Sequence, residues 1–109
     1  WWKSANYPST GFAEYLDIFQ LGAYYDTVSD VTNAITRAKT ITKGVCDVFG
    51  TISAASTVID MEKACYTCLK NSDGLMVFEL SHIINNRAWS KIKAGVKKAE
   101  EELGIVREY

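Results

Sequence analysis

Apolar residues along this chain recur at gaps of three and four more visibly than at gaps of two, a pattern that predicts helices. Phe12, Tyr15, Leu16 and Phe19 share one face of a predicted first helix over residues 8–22, "PSTGFAEYLDIFQLG", with Ser9 or Thr10 near its cap and Gly22 as its terminator. A long stripe follows: Val28, Val31, Ile35, Ala38, then Val45, Val48, Ile52, Ala55 and Ile59, interrupted near Thr42. Gly44 and Gly50 divide it into two or three predicted helices. Frequent β-branched residues (Thr32, Thr36, Thr40, Thr42) weaken local helix propensity, but burial of the stripe is expected to dominate.

"KNSDGL", Lys70 to Leu75, reads as a loop, with Ser72 or Asp73 as a cap. Leu75, Met76, Phe78, Leu80, Ile83 and Ile84 then predict a helix apolar around much of its circumference, the most buried one. Trp89, Ile92, Val96, Ala99 and Leu103 form the clearest stripe, opposite Lys91, Lys93, Lys97 and Lys98, and Gly104 ends that helix. The single proline, Pro8, lies in a polar and aromatic arm over residues 1–10, so nothing but glycine interrupts helices afterwards. The expectation is an all-α single domain over residues 1–109, a compact bundle of five or six short helices.

Charge narrows the classes of partner. The net charge is −1, without the basic excess that phosphate backbones require, so nucleic acid is not an expected partner. No apolar run approaches the ~20 residues of a membrane span. The chain opens Trp1-Trp2-Lys3 without an initiator Met, which leads to the expectation of a processed or trimmed chain; a removed signal peptide would explain that start and fits the expectation of a secreted, extracellular protein.

The stretch "ACYTC", Ala64 to Cys68, raises the question of thiol chemistry. A redox couple needs its nucleophilic Cys at a helix N-terminus, usually after a strand, whereas Cys65 reads as mid or late helix. Zinc is the candidate cofactor, with Cys46, Cys65, Cys68 and His82 as three thiolates and an imidazole, although the spacing is irregular. The expectation is a disulfide among Cys46, Cys65 and Cys68 that staples helices and stabilises a small core by ~2–4 kcal/mol, with reduced buried thiols as the alternative. Catalysis has little support: Ser81 points about 100° away from His82 on a helix, and neither a Gly-rich phosphate loop nor a calcium loop is present. The expectation is that the protein is not an enzyme.

Aromatic residues cluster beyond what a small core requires. Trp1, Trp2 and Tyr7 stand in the arm, and Phe12, Tyr15, Phe19, Tyr24, Tyr25, Met76, Phe78 and Trp89 are candidates to line an apolar pocket or an interface. They point to a structural or interaction protein, surface-active and dimeric, with a second copy of itself as partner. The alternatives are a carrier of a small apolar ligand in a helical pocket, and a metal-binding protein.

Ser9, Thr10, Phe12, Tyr15, Phe19, Leu21, Gly22, Ala23 and Tyr24 reproduce a pattern that resembles the otospiralin family of small secreted inner-ear proteins, and "LGIVREY" echoes its ending. That resemblance covers about a fifth of the chain and implies a secreted, non-enzymatic helical protein. Cys46, Cys65 and Cys68 also give the C-x18-C-x2-C part of the insect chemosensory protein pattern, which implies a helical carrier of apolar ligands. The first cysteine of that pattern falls on Lys39 here, so the first disulfide of that family has no counterpart.

Overall fold

A computed structural model describes residues 12–105. The chain is not all-α. After a 3-10 turn at Ala13–Tyr15 it alternates: β1 Ile18–Gly22, α1 Val28–Thr42, β2 Asp47–Ser53, α2 Met61–Asn71, β3 Gly74–Phe78, α3 Leu80–Asn85 and α4 Trp89–Leu103. The three strands form one parallel sheet in the order β1-β2-β3. Three predicted helical stretches are therefore corrected. Residues 18–22 of the first predicted helix are β1, the second half of the long stripe is β2, and Leu75 to Phe78 of the predicted central helix is β3. The aromatic arm and the start of the first predicted helix lie outside the described residues.

The helices form where capping and packing agree. Thr27 accepts a hydrogen bond from the Asp30 backbone N–H at 3.1 Å and opens α1, while Asp60 does the same for Lys63 and opens α2. α1 ends at Lys43 and Gly44, both left-handed, and α4 ends at Gly104 with φ of +70°. Of the stripe predicted for the last helix, Ile92 and Ala99 are buried and Val96 packs against the core, while Trp89 and Leu103 at its ends are exposed.

Register fixes which side chains share a face. Phe19 pairs with Val48 and Leu21 with Gly50, while Gly50 pairs with Leu75 and Ile52 with Val77. Leu21, Val48 and Ile52 belong to the buried core, with Phe19, Leu75 and Val77 packed at its margin. A Cβ at Gly50 would collide with the Cys68 thiol of α2 and meet Ile35 of α1, so both crossover helices lie on this one face of the sheet. α4 packs in turn on α2. A Cβ at Gly95 would strike the Glu62 carbonyl oxygen and come within 3.1 Å of the Cys65 Cβ. Tyr66 of α2 donates to the Glu102 carboxylate of α4 at 2.6 Å, Lys70 stands 3.2 Å from the same group, and Lys98 lies 4.7 Å above the Tyr66 ring. Among the described residues, no helix is long and apolar enough to cross a membrane.

Gly95→Ala is expected to lower unfolding free energy by about 1–3 kcal/mol, because the added methyl must push two helix backbones apart. Lys97→Ala, two residues on and exposed, is expected to change it by less than about 0.5 kcal/mol. Urea denaturation of both variants checks the contrast, and equal midpoints would refute the close packing.

Candidate functional site

In a parallel β/α sheet, ligands bind outside the carboxyl ends of the strands, where successive loops converge. Here that end gathers several polar and aromatic side chains. The loop after β1 supplies Tyr24, Tyr25 and Asp26; the loop after β2 supplies Ser56 and Thr57; and β3 ends in Phe78, followed by Glu79. The loops are tied to one another. Ala23 N–H donates to the Thr51 carbonyl at 2.8 Å, and Ala54 N–H donates to the Phe78 carbonyl at 2.7 Å. Ser56 hydroxyl donates to Asp26 at 2.6 Å, and Asn86 amide donates to the Ala54 carbonyl at 2.8 Å.

Two aromatic rings stand at this rim. Tyr24 and Phe78 are 6.2 Å apart between centroids and tilted by 34°, and both are about half exposed. Beside them Ser81 hydroxyl donates to Glu79, and the His82 Nε2 lies 3.8 Å from the same carboxylate. Next to the Ser56–Asp26 pair is a cleft of about 130 Å³, lined by Ala54, Ser56, Thr57, Ile59, Met61, Asn86, Ala88 and Lys91. Comparisons with protein-family models, curated proteins and solved structures give no match to this chain.

Of the eight apolar candidates read from the sequence, the structure brings together Tyr24 and Phe78. Met76 joins them on the same face of the sheet, where the Gln20 amide reaches both the Thr51 hydroxyl and the Met76 sulfur at 3.0 Å. Phe19 turns to the opposite, helix-covered face. Tyr15 is exposed with its hydroxyl bonded to Glu14, which raises its pKa; Phe12 and Tyr25 are also exposed. Trp89 stands at the start of α4, more than half exposed. Asp26, Ser56, Glu79 and Asn86 were not singled out from the sequence. Had the preceding apolar runs been read as strands, the polar residues after them would have marked Asp26, Ser56 and Glu79; Asn86 follows α3 and carries no such signal.

The cysteines are three free thiols, so the predicted disulfide is corrected. The reason is directional. Cys65 and Cys68 lie three residues apart on α2, but Cys65 packs beside Gly95 of α4 and 3.9 Å from the Met61 sulfur, whereas Cys68 rests on Gly50 of the sheet and 3.7 Å from the Ser72 hydroxyl. Cys46 is half-buried just before β2, at the amino end of the sheet. His82 is on α3, facing Glu79. Among the described residues no group of three or more His, Cys, Asp or Glu is placed to hold a metal ion.

Burial pushes the Cys65 thiol up to about 12 from its ordinary value of 9, with the neighbouring Cys68 adding to the rise. Cys68 is raised by burial as well, partly offset by hydrogen bonds from Ser72 and the Gly50 backbone. Both therefore stay protonated and unreactive at neutral pH. Ellman titration of the folded chain at pH 8 is expected to count one fast thiol, Cys46, and three in denaturant; two or more fast thiols would contradict the burial. Between about pH 9 and 12 the Cys65 thiol has lost its proton in the unfolded chain and retains it in the folded one, so unfolding free energy is expected to fall as pH rises through that window.

Proposed function

We propose that the carboxyl-end rim binds a small polyhydroxylated ligand of the sugar type. The observation that supports it is the adjacency of aromatic and hydrogen-bonding groups at one end of the sheet: the Tyr24–Phe78 ring pair beside the Asp26–Ser56 and Glu79–Ser81 pairs. A sugar presents an apolar C–H face to aromatic rings and hydroxyl donors to carboxylates. A site with a few placed polar groups around an aromatic surface is the ordinary form of small-molecule recognition. Tyr24 and Phe78 supply the platform. Asp26 and Glu79 accept from ligand hydroxyls, and Thr57, Asn86 and Lys91 line the adjoining cleft as donors.

A carrier of an apolar ligand is the second reading. It is favoured by a cleft of about 380 Å³ where the Phe49 ring of β2, lying over Gly74 of β3, meets Leu69, Leu75, Val96, Leu103 and Ile105. That volume is within the range of ordinary ligand pockets. It lies on the side of the sheet's amino end, where Asp73 and Gly74 begin β3, so the two readings occupy different places.

Nuclear magnetic resonance titration with glucose, N-acetylglucosamine and cellobiose at millimolar concentration separates them. Saturable shifts at Tyr24, Asp26 and Glu79, weakened at least tenfold by Tyr24→Ala, are the expected result. Absence of shifts at those amides with all three sugars would overturn the sugar reading. Shifts at Leu69, Leu75 and Val96 on addition of decanoate would favour the apolar carrier.

A further inference from the structure

The face of the sheet opposite the helices carries Ile18 and Gln20 from β1, Phe49 and Thr51 from β2, and Met76 and Phe78 from β3; Thr51 at its centre is buried, its hydroxyl accepting from the Gln20 amide. Among the described residues no helix covers this face, and Ile18, Met76 and Phe78 remain 47%, 46% and 49% exposed. Purely parallel sheets are ordinarily buried on both faces, either by helices on both sides or by curling until the inner face fills itself. The first solution needs a strand order that reverses, so that crossovers fall on alternate sides. The order here, β1-β2-β3, does not reverse, and α1 and α2 share a side.

The edges tell the same story. Both β1 and β3 have one neighbour, β2, and an unpaired outer edge among the described residues. β1 is Ile-Phe-Gln-Leu-Gly and β3 is Gly-Leu-Met-Val-Phe, with no charged residue and no proline in either. Edge strands that face water are normally protected by lysine, proline, bulges or a covering element. These two carry neither charge nor proline, and their sequences suit interior strands.

We propose that the bare face and both outer edges are an interface for further parallel β/α units, which continue the sheet on each side and close it into a barrel. The bare face then becomes the barrel interior, where large and small side chains from neighbouring strands interlock in layers. That interlocking is already present within the three strands. Gly74 lies opposite Phe49 in register, and a Cβ there would come within 2.7–2.8 Å of the Phe49 ring. A second copy of the chain, packed face to face, fits less well. Ile18, Tyr24, Met76 and Phe78 offer roughly 400 Å² at about half exposure of side chains near 200 Å², about half of the ~800 Å² per partner in a stable complex. Such a dimer would also leave both edges unpaired. The interface shares Tyr24 and Phe78 with the proposed sugar site, but its argument does not rest on a sugar being bound there.

Two measurements test it. The chain alone is expected to bind an apolar dye such as anilinonaphthalene sulfonate and to sediment as a broad series of associating species. The double variant Met76→Lys/Phe78→Lys, with unchanged circular dichroism, is expected to be monodisperse and to lose the dye. A discrete dimer with slowly exchanging edge amides would overturn the proposal in favour of a second copy, and a monodisperse native chain that binds no dye would overturn it outright. In the second measurement, the full chain replaces the last three units of a designed (β/α)8 barrel. The amides of Ile18–Gly22 and Gly74–Phe78 are expected to exchange at least 100-fold more slowly than in the chain alone, and equal exchange would refute closure.

Discussion

With no side chain at Gly50, the Cys68 thiol of α2 and the Ile35 side chain of α1 rest directly on the central strand. This close approach sets the separation between the helical layer and the sheet. Gly95 repeats the device one layer out, letting α4 settle on the backbone of α2. Much of the core between them is correspondingly small: Ala64, Cys65, Cys68 and Ala99 are all fully inaccessible. The two thiols fit here because cysteine is a compact apolar side chain, slightly larger than alanine. Their chemistry is suppressed by the same burial that makes them useful for packing.

Gly50 also explains what the sequence conceals. In β2 the helix-facing positions are 48, 50 and 52, a period of two, but the middle one has no side chain. What remains visible is Val48 and Ile52, four apart, which reads as one face of a helix. β3 misleads differently. Leu75 and Val77 face the helices while Met76 and Phe78 are apolar on the other side, so the segment is a continuous apolar run, and a buried helix looks the same. α4 was legible because its apolar residues and lysines fall on opposite faces without interruption. α1 was legible up to its left-handed end at Lys43 and Gly44. The rim residues were hidden for a topological reason. Asp26, Ser56 and Glu79 belong to three separate stretches of sequence, and only parallel pairing places the ends of those stretches side by side.

One-sidedness then organises the rest of the molecule. The helices take one face, the loops collect at the carboxyl end, and the aromatic side chains that no helix reaches are left on the other face or at its margin. Of the aromatic residues singled out in the sequence, Phe78 belongs to that outer surface and Tyr24 to its margin, whereas Tyr15 and Trp89 are exposed on other elements. Tyr24 and Phe78 stand where that surface meets the rim, so they are common to the candidate ligand site and the candidate interface.

The contact between Phe49 and Gly74 has a consequence for how the strands find their alignment. A slip of β3 by one residue would turn its side chains to the wrong face. A slip by two would keep each on its own side, and apolar character alone offers little resistance to it. That slip would bring Ser72 or Met76 opposite Phe49 in place of Gly74, and the space occupied by the ring would be lost. The glycine therefore acts as a key that fits one notch, fixing the strand's position along its neighbour independently of the side chains on the helical face.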